Sequence, residues 1–564
     1  MVLTIGKLRP HEDSEVKHVK HSEDTRTLQT GDIVETFDHV LEWDADCVSI
    51  EQCESWRSLS DVACDAALRE AFSCPSSTVG KDLLRSLESL SEDSGMTQSA
   101  VQRFLDEVNE EPPEAVRASK EEVIIAQEFF LDNSIQIMQA LLHYSLAGGF
   151  ASPRIVRTLE AVSYLVPHIR REANNVHTAS LTDALSNIPK SSTDRTLSRL
   201  FETFQFVLDV MGCSVPTDPQ DFEASTENEK DHYGDGDTTG SHDPASYLMP
   251  GGEGWRSAVR VRLLHGVARW RVEERWAKSG SKEGGVPISQ EDLAATLASF
   301  STIPIWSLHR LGLAPSDEQT SAYLAVWRHV GYYLGVDPQI LQRYFTSTKT
   351  ADQFLASVAL HLFSDDPPTG SQDGPPSTIL HGPTIPILVA VSNRPPLHTS
   401  LEYNIALTTH LLGPSLSEHL GLPPTPLRAR LRMHAFLFLQ RIPHYVARYY
   451  PRKRWVEKRR IALREGMVRT LYWNLGMRKT TYRPRTMVQD VSPNAEDEPM
   501  KDGELAPHVA EEEAVRPDPR RTRVLTKMWS EVWKEMVAVC VGTSLVAGIA
   551  AYLILAYLYH CFWF

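Results

Sequence analysis

Residues 254–272 read GWRSAVRVRLLHGVARWRV. On a helix turning about 100° per residue, with His265 at zero, Val261, Ala268 and Val272 fall roughly 20–60° to one side. Arg262 and Arg269 fall roughly 40–60° to the other side, while Arg256, Arg260 and Arg271 point away. One helical stripe therefore carries an imidazole on an apolar wall, with two guanidiniums along its border. The same three- and four-residue spacing of apolar side chains recurs upstream in SLSDVACDAALREAF (58–72), KDLLRSLESLSED (81–93) and SAVQRFLDEV (99–108). Strand-like alternation is scarce. The expected class is all-α: a globin-like helical bundle with disordered insertions and a C-terminal transmembrane helix.

The chain has 564 residues, and its 57 Lys+Arg against 73 Asp+Glu leave a formal charge of −16. An acidic balance argues against nucleic acid as a partner, because a basic footprint is what phosphate binding requires. Composition also excludes a collagen, a disulfide-dense miniprotein and a polytopic membrane protein. Residues 1–57 are polar and lack sustained periodicity, so a poorly ordered N-terminal segment is expected there. The helical domain is expected over 58–486. Two breaks interrupt it: an acidic, Gly-rich insertion at 217–254, too poor in apolar residues to offset its ordering entropy, and a Pro-rich loop at 365–396. Residues 487–527 read as an acidic, then basic linker whose job is reach. Cys47, Cys53, Cys64 and Cys74 are spaced more widely than paired zinc ligands and read as free thiols.

A membrane anchor is expected over 528–564. Its span, 536–559, reads MVAVCVGTSLVAGIAAYLILAYLY and carries no charge. At about 1.5 Å per residue it is long enough for a hydrocarbon core of about 30 Å. Trp529, Trp533, Tyr557, Tyr559 and Trp563 flank it as interfacial aromatics do, and Arg516, Arg520, Arg521, Arg523, Lys527 and Lys534 precede it. The positive-inside rule then leaves the upstream chain cytosolic. The first residues hold no apolar run suited to a signal peptide. Between Arg428 and Arg485 basic residues alternate with Tyr and Trp, a composition suited either to an anionic leaflet or to ordinary solvated helix faces.

Two side-chain sets could carry chemistry. His265 reads two ways: as an axial ligand for haem iron, with Arg262 and Arg269 on the propionates, or as a core histidine whose ring is hydrogen-bonded. In STDRTLSRLFETFQFVLDVMG (192–212), Arg199 and Thr203 stand four residues apart on a face continued by Phe206, Val207 and Val210. An Arg and a hydroxyl over an apolar surface could hold an oxygen-derived ligand, or serve structure alone. A Gly-rich phosphate loop and an HExxH zinc site are both missing from the sequence.

Taken together, LLHYSLAGGFASPRI (141–155), RLFETFQFV (199–207), VRLLHGVAR (261–269), QEDLAATLASFS (290–301), DEQTSAYLAVWRHVGYYLGV (317–336) and HLLGPSLSEHLGLP (410–423) resemble the latex clearing protein (rubber oxygenase) family. That family also takes in the ER-bound oxygenases of fungal meroterpenoid pathways. The resemblance runs in order through most of 58–440. It implies an all-α fold around haem b, with His265 as axial ligand to the iron. Arg199 and Thr203 match the distal R-x-x-x-T arrangement, and Arg262 and Arg269 match positions near the propionates. Glu202 departs from the pattern, standing where a lysine serves as distal ligand in some members. The implied reaction is dioxygen activation and oxidative cleavage of a carbon–carbon double bond in an apolar isoprenoid chain, at the endoplasmic reticulum membrane. Asp292, Glu318, Tyr323 and Trp327 also lie in the matched segments, where capping, pairing and packing are the expected roles. The competing reading is a non-catalytic, tail-anchored scaffold that keeps the helical fold. Nothing in the sequence fixes an oligomeric state.

Overall fold

Ser and Asp caps set where the helices begin in the computed structural model, which describes residues 3–4, 16–94, 99–162, 188, 190–214, 245–279, 285–363, 383–395, 398–449, 452–485, 513–514 and 519–563. The first half of the fold comprises α1 (Ile50–Arg57), α2 (Val62–Ala71), α3 (Leu83–Ser94), α4 (Ala100–Asn109), α5 (Lys120–Asp132), α6 (Ser134–Ala140), α7 (Pro153–Val162), α8 (Lys190–Val210) and α9 (Glu253–Ser279). It continues through α10 (Gln290–Arg310), α11 (Asp317–Tyr333), α12 (Pro338–Tyr344), α13 (Thr348–Phe363), α14 (Thr384–Val391), α15 (Leu401–Leu412) and α16 (Pro414–His419). The last three helices are α17 (Leu427–Tyr449), α18 (Lys453–Asn474) and α19 (Pro519–Trp563). Capping boxes open α5 at Ser119, α10 at Ser289 and α11 at Ser316, each Ser hydroxyl accepting from the third backbone amide of its helix.

The class is all-α. Helices α10 and α11 form its middle: α10 is buried along most of its length, and α11 places Tyr323 and Trp327 in the core, fully out of solvent. Helix α5 packs along α11, and α8 packs along α9. One apolar core, running from Val19 to Tyr482, joins these helices. Asp292 closes the α10 cap and pairs with Arg154 at 3.3 Å, so its role is structural, as expected.

Residues 16–57 correct the expectation of a poorly ordered N-terminal segment. Strands β1 (Leu3–Thr4), β2 (Val16–His18), β3 (Asp32–Thr36) and β4 (His39–Trp43) form one sheet in the order β1-β4-β3-β2. A two-residue turn with positive φ at Phe37 and Asp38 makes the β3–β4 hairpin, and Val34 and Leu41 are buried between it and the helices. The strands are too short to show a period in the sequence.

Three other boundaries shift. Most of 217–254 lies outside the described residues, but 245–254 is ordered, with Tyr247 and Leu248 in the core. Of the expected loop at 365–396, residues 384–391 form α14, whose Ile385 and Leu388 are buried. The basic end of the expected linker, 519–527, is the first part of α19. Helix α19 is long and apolar enough to cross a membrane, and its apolar window is wholly exposed. Its N-terminal half is clamped to α18 by Lys458–Glu531 at 2.6 Å, Arg452–Glu535 at 2.7 Å and a bond from Trp455 Nε1 to the Val532 carbonyl at 3.2 Å.

Candidate functional site

The pairing of α8 with α9 leaves a cavity of about 860 Å³ between them and their neighbours, with a largely apolar surface interrupted by polar and charged side chains. That volume falls within the usual range of ligand sites, about 300–1,000 Å³. Helix α9 contributes Val261, His265 and Ala268 of the stripe read from the sequence, together with Leu264, while Val272, the fourth member of that stripe, is buried away from the cavity. From α8 come Arg199, Thr203, Phe206 and Val207. The stretch Leu141–Leu146, a π-helical continuation of α6, lines another wall, a geometry that recurs at functional sites.

His265 is not a satisfied core histidine. Its Nδ1 is buried without a hydrogen-bond partner. His329 shows the contrast: its Nδ1 accepts from the Ala118 amide at 3.3 Å, and its Nε2 lies 3.3 Å from the Leu248 carbonyl. Burial, reinforced by the positive charge of Arg269, lowers the His265 pKa from 6.5 to about 4. The ring is therefore neutral at physiological pH and keeps a lone pair for a metal. Its position is fixed by the next residue. A Cβ on Gly266 would come within 2.6 Å of Leu68 and 2.7 Å of Cys64, so α9 lies against α2 at a distance that excludes a side chain.

Arg262 and Arg269 do not border the cavity, which corrects their expected role beside propionates. Arg262 gives Asp61 two bonds, at 2.6 and 2.9 Å, and a third to Glu107 at 2.7 Å. Arg269 pairs with Asp65 and donates to the Ile288 carbonyl at 3.0 Å. Buried guanidiniums need such partners, because an unpaired charge there would be prohibitively desolvated. Both arginines tie α9 to the start of α2. The arginine that does reach the cavity from α9 is Arg271, which points away on the ideal wheel. It donates to the Arg485 carbonyl at 3.0 Å.

Arg199, Glu202 and Thr203 are all at the cavity. The Arg199 guanidinium pairs with Glu202 on the same helix, and Thr203 Oγ1 donates to the Arg199 carbonyl at 3.3 Å. Glu202, buried, takes a second cation in Arg485. Arg485 belongs to a strap after α18, residues 480–485, which sequence reasoning missed. Gln205 and Thr480 exchange two bonds at 2.9 Å, Tyr482 OH reaches Asp209 at 3.3 Å, and the Gly80 amide donates to the Pro484 carbonyl at 2.8 Å. The strap thereby places Tyr482, Arg483, Pro484 and Arg485 on the cavity wall. In sequence it is only a short basic stretch.

Elsewhere Cys53, Glu291 and His361 bring possible ligand atoms within 4.8 Å of one another. Arg57 already occupies that cluster, donating to Glu291 at 2.8 Å and lying 3.0 Å from His361 Nδ1. A resident guanidinium opposes a second cation, so the group is an ion-pair network joining α1, α10 and α13. Cys47, Cys53, Cys64 and Cys74 are free thiols.

The helices that build this cavity lie mainly in residues 175–442, which match the model described as "ER-bound oxygenase mpaB/B'/Rubber oxygenase, catalytic domain". Over that stretch the chain is similar to an oxygenase catalytic domain. The solved structure titled "Structure of Latex Clearing Protein LCP in the closed state" is similar at 16% sequence identity with a TM-score of 0.41, covering 73% of this chain and 91% of that one. No curated protein matches the sequence. Arg199, Thr203 and His265 fall inside the rubber oxygenase match; the strap with Arg485 falls outside it.

Proposed function

We propose that the chain is a haem-b-dependent oxygenase of the endoplasmic reticulum membrane, its bulk facing the cytosol, which cleaves a carbon–carbon double bond of an isoprenoid chain with dioxygen. The observation that carries this reading is the His265 ring: neutral, unpartnered at Nδ1, and set in the wall of a large apolar cavity. Such a donor beside such a cavity fits a haem. His265 would hold the iron, and Val261, Leu264 and Ala268 would form the apolar surface around it. With Arg262, Arg269 and Arg485 committed to carboxylates, the cofactor's own carboxylates would meet Arg271 of α9 and Arg483 of the strap, both on the cavity wall. When bound, the haem supplies the redox chemistry on dioxygen.

The residues of α8 supply position and polarity. Arg199, paired with Glu202, and the exposed Thr203, whose hydroxyl donates to the Arg199 carbonyl, place a guanidinium and a hydroxyl on the cavity wall, where they would orient an oxygen-derived ligand by exchanging those partners. Glu202, held between Arg199 and Arg485, is kept from swinging into the cavity as a ligand. The apolar lining excludes water and accepts a hydrocarbon chain.

Replacing Arg199 by Ala, or Thr203 by Val, is expected to lower turnover of a prenyl substrate roughly 10²–10³-fold, the usual effect of losing one preorganised donor. Haem content, read from the absorption spectrum, should stay at the wild-type level in both variants. Unchanged turnover in both would remove α8 from the reaction. The pH dependence follows from the ring. A His265 pKa of about 4 for the free ring means that protons compete with iron only at or below that region, so haem should be retained from neutrality to about pH 5 and released only at or below about pH 4. Release centred near pH 6.5 would mean an ordinary, solvated histidine.

A further inference from the structure

Helix α17 carries an apolar stripe that the described residues leave largely exposed. Leu427, Leu431, Phe438, Tyr445 and Tyr449 fall within roughly 40° of arc on the helical wheel. All five are exposed, Phe438 to 64% and Tyr449 to 73%. The opposite side of the helix is buried at Ala429, Met433 and Leu437, and there Phe436 lines the catalytic cavity and packs edge-on against Tyr403 at 5.9 Å. Exposed large apolar residues elsewhere in the described domain, such as Val62 and Ile135, are scattered singly.

Continuity with α19 identifies what covers this stripe. A groove of about 690 Å³ runs between the two helices, with Phe438, Tyr445 and Tyr449 on one side and Val539 and Thr543 on the other. Val539 and Thr543 lie three and seven residues into the span that begins at Met536, about 5–10 Å along the helix. That is the depth, about 5–10 Å, at which an amphipathic helix seats its apolar face in a bilayer. Exposed arginines flank the stripe at 428, 430 and 432, and Arg452, Lys453 and Arg454 stand exposed at the start of α18, the charge complement of anionic headgroups.

We propose that α17 seats in the surface of the same bilayer that α19 crosses, making this helix the wall between lipid and the cavity, through which an apolar substrate passes without entering water. The inference rests on α19 being a membrane span and is independent of the haem assignment. It also replaces a long tether with a domain clamped onto its anchor.

The test uses the full chain in phosphatidylcholine vesicles containing phosphatidylserine, with a photoreactive benzoylphenylalanine placed by turns at Phe438, at Leu553 within the span, and at exposed Val62 on α2. Irradiation should give lipid adducts, detected by mass spectrometry, on the peptides carrying positions 438 and 553, and none at position 62. Adducts at 553 with none at 438, or crosslinks at 438 joining two copies of the chain, would overturn the seating of α17. Absence of lipid adducts at 553 would overturn the span itself, and with it the proposal.

Discussion

His265→Ala is expected to yield a folded protein that retains no haem. The imidazole Nδ1 has no hydrogen-bond partner among the described residues, and its ring faces a cavity, so truncation removes little that holds α9 in place. Helix α9 is fixed instead by Arg262, Arg269 and the close contact at Gly266. Far-ultraviolet circular dichroism should therefore be unchanged, while the Soret band given by the wild-type chain after haem supplementation is lost. Free imidazole should restore part of the band, because the cavity created is the size of the ligand removed. A variant that keeps a full, unshifted Soret band would place the iron ligand elsewhere.

Asp61→Ala should be strongly destabilising and for a different reason. Asp61 caps α2, accepting from the Cys64 amide at 3.3 Å, and takes both bonds of the Arg262 fork. Its loss leaves a guanidinium whose side chain is only 4% exposed with the half-exposed Glu107 as its remaining acid. Breaking a buried pair from one side costs about 3–5 kcal/mol, to which the lost cap adds about 1 kcal/mol. Urea unfolding of the haem-free chain should report this as a lower midpoint with unchanged slope. A loss below about 1 kcal/mol would mean that Arg262 is not held by Asp61, reopening its assignment to the cofactor.

The helices that build the cavity were legible because each carries a long run with a single apolar stripe. The placement of Val261, His265 and Ala268 on one cavity wall follows directly from the wheel at 254–272. The wheel could not say which arginines face that cavity. Arg262 lies beside His265 in projection, but carboxylates brought by α2 and α4, some 150–200 residues earlier, draw it the other way. Arg271 reaches the cavity because a long side chain can bend back along its helix. The strap at 480–485 was invisible because its value lies in long-range bonds to Gln205, Asp209 and Gly80, none of which leaves a local pattern. The N-terminal sheet escaped for a related reason: strands of five residues or fewer, tied together by a tight turn, show too little alternation to count.

The account turns on whether this chain binds haem through its own cavity. The most direct measurement is titration of the purified full-length protein with hemin, followed by absorption and by pyridine hemochrome analysis. The structure-based reading predicts saturation at one haem per chain, with a Soret band whose position marks imidazole ligation and which disappears in His265→Ala. A folded chain that takes up no haem, or takes it up without saturation and equally in the His265 variant, would contradict the assignment.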